Sequence, residues 1–244
     1  MTVYVASSPY IDGADRPLLN PANGFLDRIR EDLPETPRCL FIASSPGDRF
    51  RTCLYGSHAV IAFACANIPF SSFRVLDAYN AEDAADLIMD SDLIVLAGGH
   101  VPTQNEFFRE IGLDVLLQDY EGVILGISAG SMNCASIVYA QPEEEGESID
   151  PDYERFLPGL GLTDVQILPH YQKVKDDIID GQRLFEDVTF ADSMGNTFFA
   201  LPDGSYFYIH DGETLLCGKA YRLRNGIMEV LTLDGECANL TDLI

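Results

Sequence analysis

A serine between two glycines is the residue of this chain best suited to chemistry. Ser128 lies in GVILGISAGSMN, residues 122–133, where an apolar run leads into G-x-S-x-G and then into small residues. The run Val123–Leu125 is typical of a buried strand, and Gly126 and Gly130 permit a tight turn into a helix. A serine at such a turn presents its hydroxyl as a nucleophile. Alternatively, the two glycines serve only packing at an ordinary strand-to-helix turn.

A serine nucleophile needs a base, and histidine has a pKa near neutrality. The chain has four histidines. His170 in I-L-P-H-Y follows a predicted strand and a rigid proline, and it is the preferred base. His100 follows Gly98-Gly99 at another strand end and competes for that role, or else lines the substrate pocket. His58 in an apolar helical stretch and His210 before a turn are predicted to be packed or exposed.

Acyl transfer also requires N–H donors for the oxyanion and an acid that orients the histidine. The Ala129 N–H follows the nucleophile, and the glycine pair at Gly99 can supply a second donor. The residues alone leave the acid open. Glu143, Glu144 and Glu145 lie in an acidic run that could simply be solvated, and Asp203 lies in L-P-D-G, which is usually a turn.

The apolar periodicity places these residues on an alternating α/β chain. The predicted strands are Thr2–Ala6, Cys39–Ala43, Phe73–Leu76, Leu93–Ala97, Val123–Ile127 and Val165–Leu168. The predicted helices are Gly24–Leu33, Thr52–Asn67, Ala81–Met89, Thr103–Leu117 and Ala129–Tyr139. Uniformly apolar strands alternating with helices predict a doubly wound, mostly parallel sheet covered on both faces. Ligands of such sheets bind outside the carboxyl ends of the strands, where His100, Ser128 and His170 all fall.

The last part of the chain changes character. Apolar segments at Asn196–Leu201, Ser205–His210, Thr214–Leu223 and Ile227–Leu233 are separated by Asp-Gly and Asn-Gly dipeptides. These dipeptides are hairpin signals, so we expect an antiparallel extension of the sheet. Residues 1–244 show no obvious linker, and a single domain is predicted.

Composition narrows the classes of partner. The net charge is −24, from 39 acidic and 15 basic residues, and this charge disfavours nucleic acid, anionic membranes and highly acidic substrates. No apolar run approaches the roughly 18 residues that span a bilayer, and a cytoplasmic location is expected. The six cysteines are far apart, without metal-ligand spacing. No metal or cofactor is predicted, and a homodimer is left open.

Three motifs, taken in order, resemble those of the peptidase E and cyanophycinase family of serine peptidases. They are A-G-G-H-V-P-T-Q-N, G-I-S-A-G-S and L-P-H-Y. That family is similar in fold to class I glutamine amidotransferases, with a serine in place of the usual cysteine. The similarity extends from the first strand to L-P-D-G-S-Y. It implies Ser128 as nucleophile, His170 as base, and amides near Gly99 and Ala129 as the oxyanion hole.

The resemblance also implies an acid in the loop after the serine helix. Counting backward from Ile149-Asp150-Pro151 gives Glu145, which we choose, and counting forward from Ser128 gives Glu143. Asp203 is kept as a supporting acid, because the family also places a carboxylate there.

Two departures from the family bear on specificity. His100 replaces the usual third glycine of G-G-G-N, which puts a titratable ring beside the oxyanion hole. The region where peptidase E reads an N-terminal aspartate with an arginine is acidic here and offers only Arg183, out of place. Aspartyl specificity is therefore not expected.

The sequence thus predicts a serine peptidase that acts on dipeptides or other short peptides and needs no cofactor. An esterase of the α/β-hydrolase class shares the serine turn, but its oxyanion glycines come from an earlier loop. A non-catalytic ligand-binding protein of the same fold is the other alternative, favoured by the crowding that His100 would cause.

Overall fold

The computed structural model describes residues 1–241, so the last three residues of the predicted 1–244 domain lie outside the described part. The strands in chain order are β1 Thr2–Ala6, β2 Arg38–Ile42, β3 Ser72–Leu76, β4 Leu93–Leu96, β5 Val123–Ile127, β6 Ile137–Tyr139, β7 Phe156–Pro158, β8 Ile167–Leu168, β9 Ile178–Ile179, β10 Gln182–Arg183, β11 Thr197–Ala200, β12 Tyr206–His210, β13 Glu213–Cys217, β14 Ala220–Arg224, β15 Ile227–Thr232 and β16 Cys237–Asn239.

The helices are α1 Phe25–Asp32, α2 Arg49–Cys65, α3 Ala84–Met89, α4 Val101–Glu110, α5 Leu113–Leu116, α6 Ala129–Met132, α7 Tyr171–Val174 and α8 Phe190–Asp192. The predicted helix Thr103–Leu117 is divided in two at Gly112, which has a φ of 63°. Glycine adopts this left-handed conformation without the steric cost that a side chain brings, so the chain can turn there.

The main sheet has eight strands in the order β16-β13-β12-β1-β5-β4-β2-β3. The strands from β1 to β3 in this order are parallel, and β12, β13 and β16 add to the β1 edge in antiparallel register. Side chains of β5 alternate between two cores: Ile124 packs on one face, and Val123 and Leu125 on the other. The predicted doubly wound sheet, with both faces covered, is confirmed.

The predicted antiparallel extension is divided between two sheets. Only β12, β13 and β16 join the main sheet, while β11, β14 and β15 form a second sheet with β8. Tyr139, Leu168, Phe198 and Leu223 belong to a separate apolar cluster beneath this second sheet. The hairpin prediction holds at Asp211-Gly212, which joins β12 to β13, and at Asn225-Gly226, which joins β14 to β15. It is wrong at Asp203-Gly204, because β11 and β12 lie in different sheets, and the predicted segment Thr214–Leu223 is two strands, β13 and β14. A turn dipeptide does not determine which sheet the next strand joins.

The predicted helix Ala129–Tyr139 is wrong in its second half, because α6 ends at Met132 and β6 begins at Ile137. Asn133 is buried, and its side chain bonds to Asn105, Gln104 and Val101 of α4. These contacts compete with helix continuation. The residues beyond it, Ile137–Tyr139, are β-branched or aromatic and pair with β7, as their strand propensity favours.

The described residues include one disulfide and four free cysteines. Cys217 and Cys237 form a disulfide between the neighbouring strands β13 and β16, a pairing that the sequence pattern did not predict. Cys39 and Cys134 are buried free thiols, whereas Cys53 and Cys65 are exposed.

Among the described residues, no helix is both long and apolar enough to cross a bilayer.

Gly130 is required by close packing at the serine turn. A Cβ there would lie 2.3 Å from the carbonyl oxygen of Leu96, a backbone atom that cannot rotate away. We expect Gly130→Ala to lower the free energy of unfolding by about 1–3 kcal/mol or more, because overpacking forces the backbone to shift. Gly47→Ala is the matched control, since a Cβ at Gly47 meets nothing within 4 Å. Urea unfolding measures both, and equal stabilities would contradict the packing argument.

Candidate active site

Ser128 lies at a strained turn between β5 and α6. Its φ is 52° and its ψ is −113°, outside the regions that L-residues normally adopt. The Ser128 N–H bonds to the carbonyls of Ala6 and Ser7, each at 3.1 Å, which holds the turn against the end of β1. A Cβ on Gly126 would lie 2.7 Å from the Ser131 Cα, so the turn closes only with glycine there. Such strain is typical of functional positions.

The glycine pair after β4 lies beside the serine. A Cβ on Gly98 would be 3.4 Å from the Ser128 Cβ, and a Cβ on Gly99 would be 2.5 Å from the Ser44 Oγ. The Ser44 hydroxyl donates to the Gly98 carbonyl at 2.6 Å and fixes the loop. Within residues 1–241, neither the Gly99 nor the Ala129 N–H donates to another protein group. Both amides are therefore free to bind an oxygen atom beside Ser128.

His170 reaches the same edge from the second sheet. It follows β8 and Pro169, has a φ of 56°, and its N–H donates to the Ser7 Oγ at 2.7 Å. Its Nδ1 lies 2.6 Å from the Oδ1 of Asp203. A carboxylate only accepts, so the Nδ1 carries the proton and the Nε2 of the neutral ring is left as a base.

Register explains why Asp203 meets His170. Strands β8 and β11 are parallel, with Ala200 opposite Leu168. The backbone therefore leaves both strands at the same end of the sheet. His170 comes two residues after Leu168, and Asp203 comes three residues after Ala200. The two side chains meet although they are 33 residues apart in sequence.

Asp203 is stabilised as a carboxylate by several neighbours. The Ser7 hydroxyl donates to its Oδ1 at 3.1 Å, and the Lys173 Nζ lies 3.0 Å from its Oδ2. Burial would raise the pKa of the Asp203 carboxyl, but the hydrogen bond and charge of His170 and those of Lys173 together lower it well below its usual range. Sequence reasoning missed Ser7 and Lys173. The position of Ser7 directly after β1 was the available signal for that residue.

The acidic run contacts the start of α4, and within the described residues none of its carboxylates bonds to the His170 ring. Glu143 accepts a hydrogen bond from the Val101 N–H at 3.1 Å. Although the residue is exposed as a whole, desolvation of its carboxyl raises the Glu143 pKa. The Glu145 side chain is exposed, and within the described chain it makes no hydrogen bond or ion pair. The structure thus places Asp203, not Glu145, at the His170 ring.

His100 is held on both sides of its ring. Its Nε2 lies 2.7 Å from the Glu147 Oε1, and its Nδ1 lies 2.7 Å from the Thr103 Oγ1. The other Glu147 oxygen accepts from the Glu143 and Glu144 N–H groups. His100, Glu144 and Glu147 bring ligand atoms within 4.8 Å of one another, a grouping able to hold a metal ion. Glu147 was not among the predicted site residues.

Two cavities meet at the serine, with Gly99, Ser128, Glu143 and His170 in the walls of both. The larger cavity, of about 580 Å³, is also lined by Tyr10, Arg51, Tyr55, His58, His100 and Glu144 among others. The smaller cavity, of about 100 Å³, is also lined by Val101, Met132, Val174, Asp177, Ile179 and Leu184 among others. Within the described residues, Ser128 and His170 are not hydrogen-bonded, as is common in unliganded catalytic sites.

The Asp203 carboxylate gives a pH-dependent contribution to stability. Its folded-state pKa is depressed, so its stabilisation is present above the unfolded pKa of about 3.9 and is lost as pH falls toward the folded value. We expect Asp203→Asn to cost on the order of 2 kcal/mol at pH 7 and progressively less below about pH 4. Urea unfolding from pH 7 to pH 3 measures this difference. A constant difference would contradict the assignment.

Serine hydrolases use a serine at a strand-to-helix turn, free amides for the oxyanion and a histidine paired with a carboxylate. Groups of each of these kinds lie around Ser128. The sequence model of Peptidase family S51 matches residues 55–217, and the chain belongs to this family. The predicted resemblance to peptidase E is thereby confirmed at the level of the family.

Two relatives give the wider context. The uncharacterized peptidase YgaJ of Bacillus subtilis (strain 168) is 28% identical over 163 residues, which are 65% of this chain and 66% of that protein, just under two thirds of its length. A crystal structure of a candidate peptidase E from Listeria monocytogenes EGD-e has a TM-score of 0.60 at 14% identity and covers 95% of this chain and 98% of its own. At that identity the likeness shows the fold alone.

Proposed function

We propose that this protein is a serine peptidase that cleaves dipeptides or other short peptides through an acyl-enzyme on Ser128. One observation carries the proposal: the Ser128 turn shares its two cavities with His170, whose ring is oriented by Asp203. Membership of a peptidase family supports peptide bonds as the substrate class.

The proposed reaction follows from the positions of these groups. The Ser128 Oγ attacks the peptide carbonyl carbon while the His170 Nε2 takes the hydroxyl proton. The Gly99 and Ala129 N–H groups bind the oxyanion, and His170 returns the proton to the leaving amine as the C–N bond breaks. Water, deprotonated by His170, then attacks the ester carbonyl; the bond between the acyl carbon and the Ser128 Oγ breaks, His170 returns the proton to the Oγ, and the acid is released. Asp203 holds the ring and stabilises its positive charge.

The same geometry supports Asp203 instead of Glu145 as the acid. The Asp203 carboxylate is nearly buried, with a side chain that is 9% exposed, and its hydrogen bond to the His170 Nδ1 fixes the required tautomer. Glu143 would act on the Gly98-Gly99 turn through the Val101 N–H. His100, engaged by Thr103 and Glu147, would line the substrate cavity.

The size and charge of the site favour short peptides. A volume of about 580 Å³ lies within the roughly 300–1,000 Å³ typical of small-ligand sites. Arg51 is the one lysine or arginine among the residues that line the two cavities, and it offers a partner for a substrate carboxylate. Arg183 faces its own partner, Asp187, at 2.6 Å, so no basis for aspartyl specificity is found there.

Labelling with a fluorophosphonate probe, followed by a panel of short peptides and esters, tests the proposal. We expect labelling and peptide hydrolysis to be lost in Ser128→Ala and retained in Ser136→Ala, an exposed serine outside both cavities. Ester hydrolysis without peptide hydrolysis would favour the esterase alternative. No labelling and no hydrolysis by the folded protein would favour the ligand-binding alternative.

A further inference from the structure

Two cavities are available to a substrate whose carbonyl lies at Ser128. Gly99, Ser128, Glu143 and His170 lie in the walls of both cavities, so a substrate bound at Ser128 can extend into each of them. The chemistry of each cavity therefore selects one half of the substrate. This inference rests on the proposed serine peptidase function.

The smaller cavity is mainly apolar. Val101, Met132 and Leu184 are buried in its wall, and Val174 and Ile179 are half-buried there. Apolar side chains gain free energy by leaving water for such a surface. A polar side chain placed there would lose its hydration and find few partners.

An acidic side chain is disfavoured in this cavity for a second reason. Its charged lining residues are the carboxylates Glu143 and Asp177, beside the His170 ring. The cations nearest in sequence are already paired: Lys173 with Asp203 and Asp12, Lys175 with Asp176, and Arg183 with Asp187. An aspartate or glutamate side chain would thus meet like charge without a counter-ion.

Size restricts the occupant further. Apolar cavities of about 150 Å³ accommodate benzene, whereas this cavity measures about 100 Å³. It is large enough for an aliphatic side chain and too small for an aromatic ring without rearrangement. Among the standard amino acids, alanine, valine and leucine fit both its volume and its apolar lining.

The wider cavity suits the half of the substrate that departs first. The leaving amine must diffuse away and water must reach the acyl-enzyme, so an open path is needed on that side. The acyl half remains covalently bound during this exchange, and a small apolar pocket can hold it. We propose that the smaller cavity is the acyl-side pocket and that it selects short peptides with a small aliphatic residue on the acyl side of the cleaved bond.

Hydrolysis of a dipeptide series with a constant leaving residue tests this specificity: Ala-Ala, Val-Ala, Leu-Ala, Phe-Ala and Asp-Ala. We expect kcat/KM to be at least about tenfold higher for the best aliphatic substrate than for Phe-Ala or Asp-Ala. Ile179→Ala enlarges the pocket and is expected to raise the ratio of Phe-Ala to Val-Ala hydrolysis. Ile179→Phe fills it and is expected to retain Ala-Ala but to lose Leu-Ala.

The outcomes separate this inference from the function on which it rests. If no dipeptide in the series is cleaved and Ser128 is not labelled, the proposed function fails, and the pocket assignment fails with it. If the dipeptides are cleaved but Asp-Ala or Phe-Ala is preferred, the pocket assignment alone is overturned. Unchanged preferences in both folded Ile179 variants would also overturn it alone.

Discussion

Replacing His170 by alanine is expected to lower kcat/KM for peptide hydrolysis by about 10⁴-fold or more while leaving the fold intact. The His170 ring lines both cavities together with Ser128, and its Nδ1 is already bonded to the Asp203 carboxylate. Without it, the serine hydroxyl keeps its proton and the leaving amine receives none. Steady-state kinetics with a cleaved dipeptide measures the loss, and thermal unfolding checks the fold.

His210→Ala is the matched control. His210 ends β12 and bonds to Thr2, at the edge of the main sheet opposite Ser128, so its loss should leave kcat/KM within about twofold. An active folded His170→Ala variant would remove His170 from the site. In that case His100 would be the next base to test.

The second large effect concerns the acid. Asp203→Asn is expected to reduce kcat by about 10³–10⁴-fold, because an amide can donate to the Nδ1 and so favour the wrong imidazole tautomer. Glu145→Gln is expected to change kcat less than about twofold, since the exposed Glu145 does not contact His170. The two variants are measured side by side with the same dipeptide. A large loss in Glu145→Gln with little effect in Asp203→Asn would reverse the assignment.

The sequence predicted the fold because its strongest patterns are local. Uniformly apolar strands and the G-x-S-x-G turn follow from neighbouring residues, and β1 and β5 have the predicted bounds. The convergence of His100, Ser128 and His170 followed from the general rule that parallel strands end at one edge. In the structure all three residues line the larger cavity.

The acid was harder to predict because it depends on a long-range pairing. Asp203 meets His170 because β8 lies parallel to β11. Both segments were predicted to be strands, but no local pattern predicts that they pair with each other. Glu143, Glu144 and Glu145 are chemically similar neighbours, and no local pattern separates them. The predicted helix Ala129–Tyr139 failed beyond Met132 for the same reason, a dependence on contacts distant in sequence. Asn133 makes its buried hydrogen bonds with α4, about 30 residues earlier in the chain.

Peptide cleavage through Ser128 is tested most directly by mass spectrometry of the trapped acyl-enzyme. An activated ester with an alanyl acyl group, quenched in acid at short times, should add the acyl mass to the protein. Peptide mapping should then place that mass on the fragment containing Ser128, with no adduct in Ser128→Ala. An adduct on another residue, or peptide hydrolysis at an undiminished rate by Ser128→Ala, would contradict the account.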